Sequence, residues 1–300
     1  MGEFGITTDD TLRETARHGS DRYPFQYYLE DIWAFDFHRI DWHWHHELEM
    51  VYVREGAARC SVGTELIELS AGSGLFINTG VLHRFEASGS TILPNIVFSP
   101  ALLAPEDSLL YDKYLRPVME SAASCQILTP DVPWQNDALR LLREVFSAQD
   151  DRDTSELATV SHLMALWQTL YEHMALAQGA ASSARGLNYR QARLRLMMQF
   201  IQEQYGGKIA LREIAASASV GESTASHIFQ SGIHMSPVAY LIQYRLSQAA
   251  KRLGSTQATV ASIAEEAGFS NAGYFCRKFR QIYRMTPNEY RRMRWNPSNP

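Results

Sequence analysis

The chain has few cysteines and no long apolar segment. Cys60, Cys125 and Cys276 are too few and too scattered among 300 residues for a disulfide scaffold or a zinc finger. No apolar run approaches the roughly 20 residues that cross a bilayer, and the polar N-terminus lacks the apolar core of a signal peptide. Hydrophobic residues make up 45% and charged residues 20%, which excludes wholesale disorder. We therefore expect a cytoplasmic protein of about two domains, with no membrane partner.

Negative and positive charge are concentrated in different segments of the chain. Residues 186–300 hold 15 Lys and Arg against 6 Asp and Glu, a net charge of +9, whereas residues 1–185 carry −14. A basic third on an acidic protein indicates an electrostatic partner for that third alone. Nucleic acid is the leading candidate, a membrane surface is the rival, and a solvated charged face is the third interpretation.

Short strands and then helices are predicted in the N-terminal segment. Residues 23–100 contain runs of aromatic and β-branched residues between glycine-containing turns, which favours an all-β barrel or sandwich. From about residue 134 the apolar spacing becomes helical. One apolar seam either packs on the barrel or forms a homodimer contact through residues 155–178; it consists of Leu157, Val160, Met164, Trp167, Tyr171 and Met174.

Two polar segments flank this first domain. Residues 1–22 are predicted to be an arm or a disordered tail. Residues 179–187 are small and are predicted to be a flexible linker. The domain boundaries expected are therefore 23–178 and 188–295.

The C-terminal domain contains a repeat at an offset of 49 to 50 residues. The corresponding pairs are Ile214 and Ile263, Phe229 and Phe279, and Tyr240 and Tyr290. Each copy reads as a short apolar helix, a tight turn and a second helix, the pattern of a helix-turn-helix unit. In the second copy Gly268 suits a turn with positive φ, and Ser270 is expected to cap the next helix.

The second helix of the second copy has a polar, cationic outer face. Phe275 and Phe279 are expected to face the first helix, which leaves Asn271, Gly273, Tyr274, Arg277, Lys278 and Arg280 on or near the outside. An arginine such as Arg277 can pair bidentately with guanine, and an asparagine such as Asn271 can bind adenine or phosphate. Lys278 and Arg280 suit phosphate contacts. The competing interpretation for each side chain is a plain surface position, and Arg291, Arg292 and Arg294 are expected to be a solvated tail.

On these residues, positions 190–294 resemble the DNA-binding domain of the AraC/XylS family of bacterial transcription regulators. The resemblance is carried by residues 263–270, 274–279 and 285–291. It implies two helix-turn-helix units, joined by a long helix at about Ser236–Leu253, that enter successive major grooves roughly 34 Å apart.

The first copy departs from the family pattern. Its second helix, about Glu222–Gln230, has no Lys or Arg, and the DNA-contacting residues expected there are Ser223, Thr224, Ser226, His227 and Gln230. Ser219, His234 and Arg284 stand where the family usually has glycine. We therefore expect the second unit to carry most of the electrostatic affinity.

A cluster of potential metal ligands lies in the predicted barrel. His43, His45 and Glu49 form a His-x-His-x3-Glu segment whose members would share one face of a strand. His83 follows a later turn. Three imidazoles and one carboxylate inside a barrel can bind a divalent transition metal.

The two segments resemble the two motifs of the cupin superfamily, with these four residues on the metal positions. Phe37 stands where that superfamily favours glycine, and Asn78 where it favours proline. In AraC-type regulators such a cupin is the sensor, so the resemblance implies that His43, His45, Glu49 and His83 line a small-molecule pocket. No cofactor is expected. The alternatives are a divalent transition metal held by the same residues and histidines that are merely satisfied inside the barrel.

The expected fold is α+β in two domains, a cupin-like β-barrel with following helices and an all-α double helix-turn-helix domain. The predicted function is a ligand-responsive, sequence-specific transcription regulator that is not an enzyme. Its expected partners are double-stranded DNA and a small-molecule effector, with RNA polymerase and a second copy of the chain as further candidates. The alternatives are a metal-dependent cupin enzyme with a passenger DNA-binding domain and a constitutive DNA-binding scaffold without a ligand.

Overall fold

The computed structural model describes residues 6–9, 11–150, 154–174 and 181–294, with 181–188 described for their backbone only. Two compact units divide between Gln191 and Ala192. The first combines strands and helices, and the second is helical, so the predicted α+β class with two domains is confirmed. None of the helices in the described ranges is both long enough and apolar enough to cross a membrane.

The strands of the first unit pair in two antiparallel sheets. They are β1 (Phe25–Asp31), β2 (Arg39–His43), β3 (Leu48–Tyr52), β4 (Ala57–Val62), β5 (Glu65–Ser70), β6 (Gly74–Ile77), β7 (His83–Ala87), β8 (Ile92–Phe98) and β9 (Cys125–Leu128). One sheet has the order β1-β8-β3-β6-β9 and the other the order β2-β7-β4-β5. An apolar core between the sheets includes Val51, Leu75 and Phe85. Because strand residues alternate between faces, Glu49 points inward with Val51, whereas Met50 points outward.

Helices cover the outer face of the five-stranded sheet. The helical segments of this unit are 3₁₀ turns at Ile32–Ala34, Asp36–His38 and Pro100–Leu102, a π-helical turn at Tyr111–Leu115, then α1 (Arg116–Met119), α2 (Pro133–Ala148) and α3 (Ser155–His173). Leu142 of α2 and Leu163 of α3 share one apolar cluster with Met50 and Phe76. These helices therefore pack on their own barrel.

The apolar seam predicted along α3 is partly wrong. Trp167 and Met174 are buried as predicted, but Leu157 is 73% exposed and Met164 is 40% exposed. The buried stripe runs instead through Thr159, Leu163, Leu166, Trp167 and Leu170. It is displaced because α3 packs against both α2 and the sheet. Residues 175–178 lie outside the described residues, and a homodimer through 155–178 stays a prediction.

The N-terminal segment packs on the barrel instead of forming a free tail. Leu12 is buried, the indole Nε1 of Trp44 donates to Thr11 O at 2.9 Å, and Glu14 N donates to Trp44 O at 2.9 Å. One apolar side chain and backbone pairing with Trp44 hold a segment whose polar composition had suggested disorder. We call residues 11–22 the arm; residues 1–5 and 10 lie outside the described part of the chain.

The expected linker is helical where it is described. Helix α4 (Ala181–Gln204) includes residues 181–187, whereas 179 and 180 lie outside the described residues. Alanine, arginine and leucine are good helix formers. The prediction of a flexible linker gave too much weight to the small size of these residues.

The second unit contains the two predicted helix-turn-helix units. Its further helices are α5 (Leu211–Ser217), α6 (Glu222–Ile233), α7 (Pro237–Ser255), α8 (Val260–Glu266), α9 (Ala272–Tyr283) and α10 (Pro287–Arg294). Phe275 and Phe279 are fully buried, as predicted. The cap of α9 is Asn271, whose Oδ1 accepts from Tyr274 N at 2.8 Å, so the prediction that Ser270 caps it is wrong. The chain enters the helix one residue later than the pattern suggested.

Four residues at positions where glycine was expected adopt the left-handed backbone conformation. Their φ angles are 62° at Phe37, 54° at Ser219, 56° at His234 and 57° at Arg284. His234 and Arg284 are the C-terminal caps of α6 and α9, the second helices of the two helix-turn-helix units. A Cβ atom in this conformation costs about 1–2 kcal/mol. The backbone therefore adopts the conformation usual for glycine although none of these four residues is glycine.

We expect His234→Gly to raise the free energy of unfolding of the second unit by about 0.5–1 kcal/mol, because relief of strain exceeds the added entropy of the unfolded chain. His234→Ala is the matched control, since it removes the same exposed imidazole but keeps the Cβ. Calorimetry of the full chain would measure both. Equal stability of the two variants would contradict the strain at this position.

Candidate functional site

Four polar side chains converge inside the first unit: His43, His45, Glu49 and His83. All four are buried, and their potential ligand atoms lie within 4.8 Å of one another. His43 ends β2, Glu49 lies on β3 and His83 begins β7. The expectation that His43, His45 and Glu49 share one strand is wrong, because β2 ends at His43 and the following turn carries His45 inward.

Backbone carbonyls orient the three imidazole rings. His43 Nδ1 donates to Asp41 O at 2.8 Å. His45 Nδ1 donates to Glu47 O at 3.1 Å, and His83 Nδ1 donates to Val81 O at 2.8 Å. A carbonyl can only accept, so each Nδ1 carries a proton and each ring turns its Nε2 toward the cluster. Outer partners of this kind fix metal-binding histidines in proteins.

The Glu49 carboxylate lies at the centre of the cluster. Its Oε2 is 3.3 Å from His45 Nε2 and 3.0 Å from His83 Nε2. Burial alone would raise the pKa of Glu49, but the neighbouring His83 and His45 outweigh it and lower that pKa. Burial, and then His83, holds the pKa of His43 well below its ordinary value, so His43 is neutral.

Further polar residues surround the cluster, and the sequence reading missed them. Asn95 is buried on β8, and its Nδ2 donates to Glu30 Oε2 at 3.0 Å. Burial, with a smaller effect of Glu49, raises the pKa of Glu30 to about 7. Asn95 could have been found, since it is an amide within the apolar strand Ile92–Phe98. Glu30 lacks such a signal because β1 already contains other polar residues, Gln26 and Asp31.

The arm contributes a fourth histidine. The His18 ring lies 5.5 Å from the His45 ring, centroid to centroid, and its side chain is 2% exposed. His18 Nδ1 is 3.0 Å from Tyr28 Oη, and Nε2 is 3.4 Å from Glu14 Oε2. The arm therefore contacts the cluster through His18.

The donor set fits a divalent transition metal. Imidazole nitrogen suits Zn²⁺, Fe²⁺, Ni²⁺ and Cu²⁺, and one carboxylate offsets part of the charge. Within the described residues no hydrogen-bond partner satisfies His83 Nε2, which is the atom that a metal would engage. His43, His45, Glu49 and His83 could hold such an ion, which would supply Lewis acidity and open coordination positions.

The second candidate site is the outer face of α9. Asn271, Gly273, Arg277 and Arg280 are exposed, whereas Tyr274 and Lys278 are half-buried. Lys278 Nζ lies 3.3 Å from Gln281 Oε1. The amide oxygen of Asn271 is occupied by its capping bond, which limits its use for bases. The guanidinium groups of Arg277 and Arg280 remain the main cationic groups on this face.

The corresponding face of α6 is neutral. Ser223, Thr224, His227 and Gln230 are exposed, and Ser226 is half-buried. These side chains can form hydrogen bonds with base edges but offer no permanent charge to phosphates. The role of each as a DNA contact stays a prediction.

The prediction that the C-terminal arginines form a solvated tail is wrong for one of them. Arg291 is half-buried and its Nη2 donates to Ala258 O, so it ties α10 to the segment before α8. Arg292 and Arg294 are exposed. The expectation overlooked Tyr290, which is buried and brings its neighbour against the domain.

Comparison with known proteins assigns a domain type to each site. Residues 214–293 match a family model described as a helix-turn-helix domain, and residues 37–94 match a cupin domain. The "Uncharacterized HTH-type transcriptional regulator YdeC" of Bacillus subtilis is 26% identical over 289 residues, 95% of this chain and 97% of that protein. The "HTH-type transcriptional activator RhaS" of Pectobacterium atrosepticum is 23% identical over 250 residues, 83% of this chain and 86% of that protein.

Among solved structures, unsaturated fatty acid bound wild-type ToxT from Vibrio cholerae matches 92% of this chain and 97% of its own, at 11% identity and a TM-score of 0.40.

Proposed function

We propose that this chain, a helix-turn-helix transcription regulator of the AraC type with a cupin domain, binds a small-molecule effector beside a divalent metal in its barrel and reads DNA with both helix-turn-helix units. The observation that carries the proposal is the doubled helix-turn-helix unit, whose second recognition helix exposes Arg277 and Arg280. The proposal assigns no catalytic reaction to the barrel. DNA as the partner implies a cytoplasmic location.

The two recognition helices divide the work of DNA binding unequally. α9 offers guanidinium groups that attract phosphates and can pair with guanine, whereas α6 offers only hydroxyl, imidazole and amide groups. The second unit therefore supplies most of the salt-dependent affinity, and the first adds discrimination through short polar contacts.

The barrel cluster is the proposed sensor. The three Nε2 atoms and Glu49 point at one place, and Glu30 and Asn95 supply polar groups nearby. An effector that binds at the metal changes the surroundings of His45, against which the arm residue His18 packs. Coupling to DNA binding requires that the effector favour one of two arm states. A homodimer through 155–178 and contact with RNA polymerase belong to the same proposal.

Arg277→Ala should cost about 1–3 kcal/mol of binding free energy at the preferred site and relax base discrimination at one position, because a bidentate base contact is lost. Selection from a random DNA library, followed by titration, measures both effects. Lys278→Ala is the control for a phosphate contact, and it should weaken all sequences alike. If Arg277→Ala also weakens all sequences alike, Arg277 does not read a base.

Chelator-treated protein should bind about one equivalent of Zn²⁺ or Co²⁺, since the three imidazoles and Glu49 form one site. Metal at 100 times the dissociation constant should raise the free energy of unfolding by about 2.7 kcal/mol. Metal titration followed by Co²⁺ absorption and thermal unfolding measures both quantities.

His83→Asn and Glu49→Gln should lose this binding. His46→Asn is the matched control, because His46 lies next to His45 in the turn between β2 and β3 but is exposed. The metal proposal fails if wild-type protein binds less than about a tenth of an equivalent, or if His83→Asn and Glu49→Gln both bind as well as wild type.

A further inference from the structure

A junction in the second unit connects both recognition helices to one loop. The loop Tyr205–Gly207 directly follows α4 and precedes the first helix-turn-helix unit. We define the junction as this loop together with Arg245 of α7 and the turn residues Gly268 and Phe269 of the second unit. Contacts within it join the two helix-turn-helix units.

Arg245 is the central side chain of the junction. It is half-buried, its Nε donates to Tyr205 O at 2.7 Å, and its Nη2 donates to Gly207 O at 2.6 Å. Both carbonyls lie just beyond the C-terminal end of α4, where the helix dipole favours a cation. The planar guanidinium meets two carbonyls at once, which a lysine ammonium on a flexible stem does less well.

The same arginine contacts the turn that leads into α9. Its Cζ lies 5.9 Å from the centroid of the Phe269 ring, and Phe269 packs on Phe275 of α9 at 5.2 Å between centroids. Gly268 has a φ of +83°, and a Cβ there would lie 2.4 Å from Tyr205 O and 2.8 Å from Arg245 Cζ. The loop and the second turn therefore fit together only with glycine at position 268.

An aromatic chain connects the loop to α6. The Tyr205 ring contacts Tyr244 at 5.2 Å between centroids, Tyr244 contacts Tyr240 at 6.4 Å, and Tyr240 contacts Phe229 of α6 at 5.9 Å. Gln202 Nε2 also donates to Tyr240 Oη at 2.9 Å. The loop is therefore connected to α6 by the aromatic chain and to the turn before α9 by Arg245.

We propose that Arg245 is a positioning residue that sets the distance between α6 and α9, and therefore the spacing between the two blocks of base pairs that one chain reads. This inference rests on the proposed two-unit reading of DNA. Without the guanidinium clamp, each unit keeps its own core and base contacts, but the second turn is free to shift against the loop. Spacing discrimination is then lost while recognition of each block remains.

The test uses the full chain and duplexes that carry both selected blocks. Wild type should prefer a spacing of about one helical turn over one lengthened by about five base pairs by roughly 30-fold. Arg245→Met keeps the aliphatic stem and should reduce this preference to about 3-fold or less, with binding to a single block changed by less than about 2-fold. Arg245→Lys keeps the charge and should restore part of the preference.

Lys251→Met is the matched control, because it removes one exposed positive charge from the same helix; it should leave the spacing preference unchanged. Thermal unfolding identifies folded variants, and Arg245→Lys decides the question if Arg245→Met does not fold. The inference is overturned if a folded Arg245 variant keeps the wild-type spacing preference, or if single-block and double-block binding weaken alike. Absence of DNA binding by wild type would instead overturn the proposed function.

Discussion

The organisation of the barrel cluster depends on the interactions that compensate the buried Glu49 carboxylate. A charge taken out of water needs compensation by partners of opposite charge or by hydrogen bonds. His45 and His83 approach Glu49 Oε2 to 3.3 and 3.0 Å, and backbone carbonyls orient both rings. His18 carries this polar network into the arm. A metal or an effector at Glu49 therefore changes the environment that the arm contacts.

In the second unit, the two repeats bury corresponding residues but have different surfaces. Ile214 and Ile263, and Phe229 and Phe279, are equally buried in the two copies. The outer faces diverge, since α9 is cationic and α6 has no Lys or Arg. Burial of corresponding residues gives two similar frames for presenting a helix. In the proposed function the different faces have unequal roles on DNA, and Arg245 is the residue proposed to fix the separation of the two frames.

Periodicity and composition predicted the architecture well and the local contacts less well. The repeat predicts α5 and α6 in the first copy and α8 and α9 in the second, because the same apolar positions are buried by helices of the same length and order. The cluster residues were found from ligand type and spacing, although the turn that carries His45 was not. The contacts of Leu12, Glu30 and Arg245 could not be predicted, since each depends on a partner distant in sequence. The left-handed residues show that other residue types can adopt a backbone conformation usual for glycine where the surrounding structure holds it.

The most direct test of the account is selection of genomic DNA fragments by the purified full chain at two salt concentrations. The account predicts one recurring motif of two blocks, centred about ten base pairs apart, with enrichment that falls steeply as salt rises. A single short block would contradict reading by both units. No enrichment at either salt concentration would contradict the central claim that the chain is a sequence-specific DNA-binding regulator.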